Sequence, residues 1–417
     1  MLAKIPELKV IGRTSSFSFK GKNEDLRTIA EKLGVAHILE GSVRKSGNTV
    51  RITAQLINAI DGTHLWSETY DRNMDDIFKV QDEIAGAVVS QLKVALLVPI
   101  QPATQNPEAY NLYLQGKYFA DRRGKENYAL AIEKYKLALA IDSNSAPAWA
   151  GLAFVYISQV GSGDVPVKVG FTQAREAVQQ ALQIDPLLSE AFAVQGRIYW
   201  SYDWDWAKAD ESTKRALELA PGNAASLLTA GRLALNSGRF DKAIALLKQS
   251  IAIEPLRAYT YIIMAQAHYY AGNFPEAEAA SRKALELNPA SPVTNYRLAM
   301  VQLEQGKYEA ALESILKEPH EGWRFSGLPL VYYKLNRKAE SDAALKELIT
   351  KYSQEGAYQV AEAYAYRGEI DLAFQWLERA YQQRDPGLTE MKVSRLLKNL
   401  HSDARWLPFL KKMKLAE

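Results

Sequence analysis

From residue 108 to residue 385 apolar positions recur with a helical period, and the helices they predict come in pairs. The clearest stretch runs from Ala224 to Pro289, where AASLLTAGRLALNSGRFDKAIALLKQSIAIEP is followed without a gap by AYTYIIMAQAHYYAGNFPEAEAASRKALELNP. Counting each unit from its first Ala, place 8 is small (Gly231, Ala265), place 15 is Gly (Gly238, Gly272), place 17 is Phe (Phe240, Phe274), place 20 is Ala (Ala243, Ala277) and place 32 is Pro (Pro255, Pro289). Each residue type has a task. The small residues let the two helices of a pair approach, the Gly takes the positive φ that reverses the chain, the Phe covers the corner, and the Pro ends the second helix.

A preceding unit ends at Pro221, so the Pro spacing is 34 residues. That is the period of a tetratricopeptide array of helix–turn–helix units. The pattern predicts a solenoid of about eight repeats over 108–385. The first carries an insertion, RRGKEN, in its turn; the second has a turn lengthened over 161–170; the sixth breaks at Pro319 and the seventh is degenerate between Trp323 and Tyr352. Residues 386–417 lose the pattern and are expected to cap the last apolar face, as a solenoid end requires. PIQPATQNP, 99–107, reads as a linker.

Residues 1–98 follow other periods. LKVIGR (8–13) predicts a short strand, and NEDLRTIAEKLG (23–34) a helix stopped by Gly34. The next stretch alternates with period two, placing Val50, Ile52, Ala54 and Leu56 on one face, with turns at Ser46-Gly47-Asn48 and Asp61-Gly62. An amphipathic helix is expected from Met74 to Leu97. The segments LEGSVRKSG and HLWSETYDR, with YDWDWAKAD and LERAYQQRDPGL further on, resemble the TolB-like amino-terminal domain joined to tetratricopeptide repeats. The resemblance implies a mainly α chain, a helical-hairpin solenoid preceded by a small α/β domain that lacks its first strand because Met1 falls inside the family's first helix. It implies a bacterial signalling setting in which a CadC-type winged helix, an adenylate cyclase or a kinase domain lies upstream, and a periplasmic location; expression as written implies a cytoplasmic one. The incomplete sheet is expected to favour self-association.

Composition narrows the chemistry. Residues 1–98 hold 13 Lys and Arg against 12 Asp and Glu, and the remainder 38 against 36, so no half has the basic excess of a nucleic-acid binder. The absence of Cys excludes disulfides and thiolate chemistry, and no apolar run is long enough to span a bilayer. The five His have no ligand spacing, and no nucleophile elbow, phosphate loop or zinc motif is present. The reading is therefore a non-catalytic binding and sensing scaffold without a cofactor. Asp203 and Asp205 form a close carboxylate pair, but between Trp204 and Trp206 in a helix–helix turn they read as helix caps. The basic, Leu-rich tail admits a membrane-surface helix, with a capping helix the favoured reading.

Places 5, 9 and 12 of each first helix share a side that faces the inside of the solenoid. They include Phe154, Arg197, Trp200, Arg232, Gln266, Tyr269, Tyr296 and Met300. Aromatic and Arg residues with few acids suit an extended peptide or protein ligand, and the wall lacks the Lys and Asn expected of an array that clamps a carboxyl terminus. The alternatives are that the wall packs against the chain's own ends, that the chain is the regulatory half of a signalling enzyme or transcription regulator, or that it is a cell-envelope assembly factor.

Overall fold

The computed structural model describes residues 8, 10–22, 24–73, 76–92 and 106–416. In the small domain the period-two reading holds. Strands β1 (His37–Ser46), β2 (Thr49–Asn58) and β3 (His64–Asn73) form an antiparallel sheet in that order. Val50, Ile52, Ala54 and Leu56 of β2 are buried. Val50, Ile52 and Tyr70 pack with Val80 of a helix that covers the β3 side. On the β1 side, Leu39 and Val43 stay 43% and 67% exposed although they pair with the buried Leu56 and Ile52.

Three helices belong to this part: α1 (Arg13–Phe17), α2 (Leu26–Leu33) and α3 (Ile77–Gln91). The Asp25 carboxylate accepts from the Arg27 and Thr28 amides to start α2, and Gly34 at φ 63° ends it, as predicted. Met74 and residues 93–97 of the helix expected before the array lie outside the described residues, as do residues 1–7, on which the missing-strand reading rests. Among the described residues of 8–13 the expected strand does not form; Arg13 begins a helix instead.

Eight helical hairpins follow among the described residues: α4 (Pro107–Arg122) with α5 (Lys125–Ile141), α6 (Ala146–Gly161) with α7 (Val167–Ile184), α8 (Ser189–Ile198) with α9 (Trp206–Leu219), and α10 (Ala224–Asn236) with α11 (Phe240–Ile253). The second four are α12 (Ala258–Ala271) with α13 (Phe274–Leu287), α14 (Thr294–Glu304) with α15 (Tyr308–Leu316), α16 (Glu321–Lys334) with α17 (Lys338–Tyr352), and α18 (Ala357–Tyr366) with α19 (Ile370–Gln383). Pro107, read as linker, is the first residue of α4: it needs no amide partner there, and the Asn106 side chain accepts from the next two amides. Ala243, Ala277 and Ala311 are fully buried where paired helices cross. Gly238, Gly272, Gly306 and Gly368 turn their corners at φ of 74–84°, the role the spacing predicts. Three other corners hold Arg123, Trp204 and Asn336 at φ of 59°, 52° and 57°.

The array curls until distant hairpins meet. Asp121 of α4 pairs with Arg257, just before α12, at 3.1 Å, and the Arg123 guanidinium lies 3.8 Å from the Tyr259 ring centre. Further along, Arg384 donates to the Tyr202 carbonyl at 2.8 Å and lies over Trp204, which packs on Tyr381. Helix α1 sits at the first of these joins. Its Thr14 and Ser15 amides donate to the Glu254 carboxylate at 3.3 and 2.8 Å, and the Gly12 amide donates to the Ile253 carbonyl. The unpaired amides of a helix start and a buried carboxylate thus satisfy one another, which is why residues 10–13 leave the sheet.

Residues 386–400 run along the inner helices α10, α12, α14 and α18. Thr389 meets Asn236 at 3.2 Å, Glu390 accepts from Tyr270 at 2.7 Å and from Arg297 at 3.4 Å, Ser394 donates to Glu362 at 2.6 Å, and Arg395 donates to Glu304 at 3.0 Å. Beyond them α20 (Trp406–Lys412) buries Trp406, Phe409 and Leu410 against α18 and α19, and Trp206 donates to the Met413 carbonyl. Among the described residues of the tail, Trp406, Phe409, Leu410, Met413 and Leu415 are buried inside the molecule, while Leu407 stays 53% exposed.

Glu362 gives this packing a pH dependence. Burial pushes its carboxyl up to about 7, with Glu390 adding to the rise while Ser394, Arg297 and Tyr358 oppose it. A folded-state pKa above the ordinary value of 4.5 means that its contribution is complete below about 4.5 and is lost as pH rises through about 7. Glu362→Gln is therefore expected to melt above wild type at pH 8, with the gap shrinking at pH 5. Thermal melts at the two pH values check this; a gap independent of pH would contradict it.

Candidate functional site

The inner wall divides into two parts. Along hairpins five and six, Gln266, Tyr269, Tyr296 and Met300 are at most 4% exposed. Tyr269 lies 6.0 Å and Phe274 5.0 Å from the Arg395 guanidinium of the tail, Gln266 approaches the Tyr270 hydroxyl that serves Glu390, and Tyr296 packs on Trp323. Residues 386–400 and neighbouring hairpins cover these four residues. The charges here are settled locally. Burial would push the Glu390 carboxyl up, but Arg297 and the Tyr270 hydroxyl outweigh it and hold the group below its ordinary value.

Trp200 requires a correction. It packs with Ala209 and Leu233 inside and between hairpins, and is 1% exposed. The reason is local: residues 199–203 form a π-turn, and the unit from Ser189 to Ala224 is one residue longer than the unit from Ala224 to Ala258. One extra residue rotates the following side chains by about 100° about the helix axis, so counting places no longer tracks the inner side.

Along hairpins one to four the wall carries positive charge. Phe154, Arg197 and Arg232 are half-buried, and two residues not anticipated from the spacing, Arg123 and Tyr259, join them. Arg197 lies 5.8 Å from the Phe154 ring centre and reaches the Ser158 hydroxyl at 3.4 Å. Among the described residues no carboxylate forms an ion pair with Arg123, Arg197 or Arg232. Burial, followed by the charges of Arg232 and Arg123, brings the Arg197 guanidinium down to about 9. Burial pushes the Tyr259 phenol up, yet Arg232, Arg123 and Arg197 together outweigh it and bring the group down to about 8. The wall can therefore attract and pair with negative charge.

The carboxylate pair at the third corner is occupied structurally. Asp203 accepts twice from Arg175, at 2.7 and 2.8 Å, while Asp205 caps α9 through the Lys208 amide. Among the described residues no group of acids and His is arranged to hold a metal ion, and no helix is long and apolar enough to cross a membrane.

The chain is 35% identical over 190 residues to "Putative adenylate cyclase 3" of Rhizobium meliloti (strain 1021), an overlap of 44% of this chain and 32% of that protein, so it spans about a third of that relative's length. Among solved structures, Pseudomonas aeruginosa PilF aligns over 54% of this chain and 97% of its own at 17% identity with a TM-score of 0.40. A thermophilic TPR protein of Thermus thermophilus aligns over 47% and 99% at 22% identity with a TM-score of 0.38. Residues 205–267 and 264–322 match family models of the tetratricopeptide repeat, and the helical part of this chain is a tetratricopeptide solenoid with a small three-stranded antiparallel sheet before it.

Proposed function

We propose that the chain is a non-catalytic binding and sensing module whose inner wall receives an extended peptide or protein segment at Phe154, Arg197 and Arg232. The observation that supports this most is the way the wall holds the chain's own residues 386–400, through polar anchors such as Glu390 and Arg395 set among buried apolar side chains such as Leu388, Met391 and Leu397. A wall built to take one extended segment along hairpins four to eight offers the same kind of surface along hairpins one to four, where Arg197 and Arg232 form no ion pair among the described residues. Tetratricopeptide arrays are protein-interaction scaffolds, and Arg with aromatic neighbours in a partly desolvated recess is the composition of a strong anchor. A photo-crosslinking residue in place of Phe154 is expected to capture a discrete partner in cells, and Arg232→Glu in the same chain to abolish that adduct. The same residue placed at Leu316, which is 54% exposed on α15, is expected to give no such adduct. Equal capture from both positions would contradict the assignment.

A second reading is favoured by one observation, the likeness to the cyclase-named relative over a third of its length. In this reading the module is the regulatory portion of a signalling protein. The DNA flanking the coding sequence is then expected to encode a cyclase, kinase or winged-helix domain in frame or in the same operon; unrelated flanking genes would count against it.

A further inference from the structure

Resting on the reading that the inner wall receives a partner, we propose that Arg123, Arg197 and Arg232 form a receptor for a multiply charged oxyanion, supplied by the partner or free in solution. The geometry points there through three hairpins. Arg123 comes from the corner of the first, Arg197 from α8 of the third and Arg232 from α10 of the fourth, and Tyr259 at the start of α12 lies against the Arg123 guanidinium. The nearby acids are engaged elsewhere: Asp121 with Arg257 and Thr14, Glu390 with Arg297 and Tyr270.

Two further observations support a ligand. The Tyr128 side chain is fully buried, its hydroxyl has no hydrogen-bond partner, and it lies within electrostatic reach of both Arg123 and Arg197. Arg123 itself is held at φ 59° and ψ 174°, a conformation that glycine adopts freely and that costs another residue about 1–3 kcal/mol. Asp121 lies within electrostatic reach of Arg123 and Glu390 of Arg232, but both acids are already ion-paired, and Arg197 still feels the repulsion of Arg232 and Arg123, one of them on strained backbone. A guanidinium offers a planar fork of donors that matches carboxylate or phosphate oxygens, so an oxyanion relieves the repulsion and satisfies the donors together.

The test uses the full chain with pyrophosphate and citrate as phosphate and carboxylate probes, and chloride at matched ionic strength as the control. Saturable binding of at least one probe by calorimetry is expected, weakened tenfold or more by Arg232→Ala and by Arg197→Met. Arg197→Met is not expected to lower the melting temperature of the unliganded chain, because it removes a buried charge that Arg232 and Arg123 repel; a residue serving only to hold the fold would do the opposite. Binding is also expected to raise the titration midpoint of Tyr259, read as the difference in phenolate absorbance between wild type and Tyr259→Phe. Preference for pyrophosphate assigns a phosphate-bearing ligand, and preference for citrate assigns clustered carboxylates such as those of an acidic peptide. Absence of saturable binding, or binding untouched by both Arg substitutions, overturns the proposal. If crosslinks from Phe154 persist while both probes fail, the oxyanion receptor is wrong and the partner wall stands; if the probes bind and no crosslinks form, the receptor stands and the partner wall is wrong.

Discussion

The contact of Glu390 with Arg297 and Tyr270 is the one on which the closed form of this solenoid most depends. A helical array that curls until its first hairpin meets its fifth encloses polar groups that water reaches poorly, and each buried charge left alone costs several kcal/mol. Glu390 comes from the tail, Arg297 from α14 and Tyr270 from α12, so a single carboxylate ties three elements to one inner line. Asp121 with Arg257, and Glu254 with the start of α1, do the equivalent at the other join. Removing one partner from such a pair exposes the other to the full desolvation penalty, which makes these pairs specific closures, whatever their net contribution to stability.

The two parts of the wall contrast in how their charge is handled. Around the tail, Glu362, Glu390 and Arg395 each have an opposite charge or a hydrogen-bond donor beside them. Around Arg123, Arg197 and Arg232 the described residues supply the Tyr259 and Phe154 rings and the Ser158 hydroxyl, but no ion pair. Sites of function are commonly those where local interactions oppose folding and the surrounding structure compensates. The alanine-lined helix crossings and the Asn106 and Asn223 caps supply ordinary local stabilisation on the neighbouring hairpins.

The hairpins were legible because their constraints are local: a small residue at a crossing, a glycine at a corner and a proline at an end each act within a few positions. The alternation of β2 was legible for the same reason, since Val50, Ile52, Ala54 and Leu56 need only their own pleat to share a face. What escaped depends on distance or phase. The stretch LKVIGR, 8–13, reads as a strand, but a carboxylate some 240 positions away, Glu254, accepts from the Thr14 and Ser15 amides at the start of a helix. Place-counting put Gln266, Tyr269, Tyr296 and Met300 on the inner side, yet no periodicity states what covers them. It misassigned Trp200 because the π-turn adds a residue, and it passed over Arg123 because an insertion has no place in the repeat. The insertion RRGKEN was itself the available signal: two arginines ahead of a glycine at a corner where glycine alone would suffice.

Hydrogen exchange of the intact chain measures whether the chain's own residues 386–400 fill the inner wall of the later hairpins. Amides such as Met391, Val393 and Ser394, which donate within the docked segment, are expected to be protected to a degree comparable with α12, and Glu390→Ala to release them while α12 and α13 stay protected. Exchange of those amides at the rate of an open chain, with α12 and α14 fully protected in the same sample, would contradict the account.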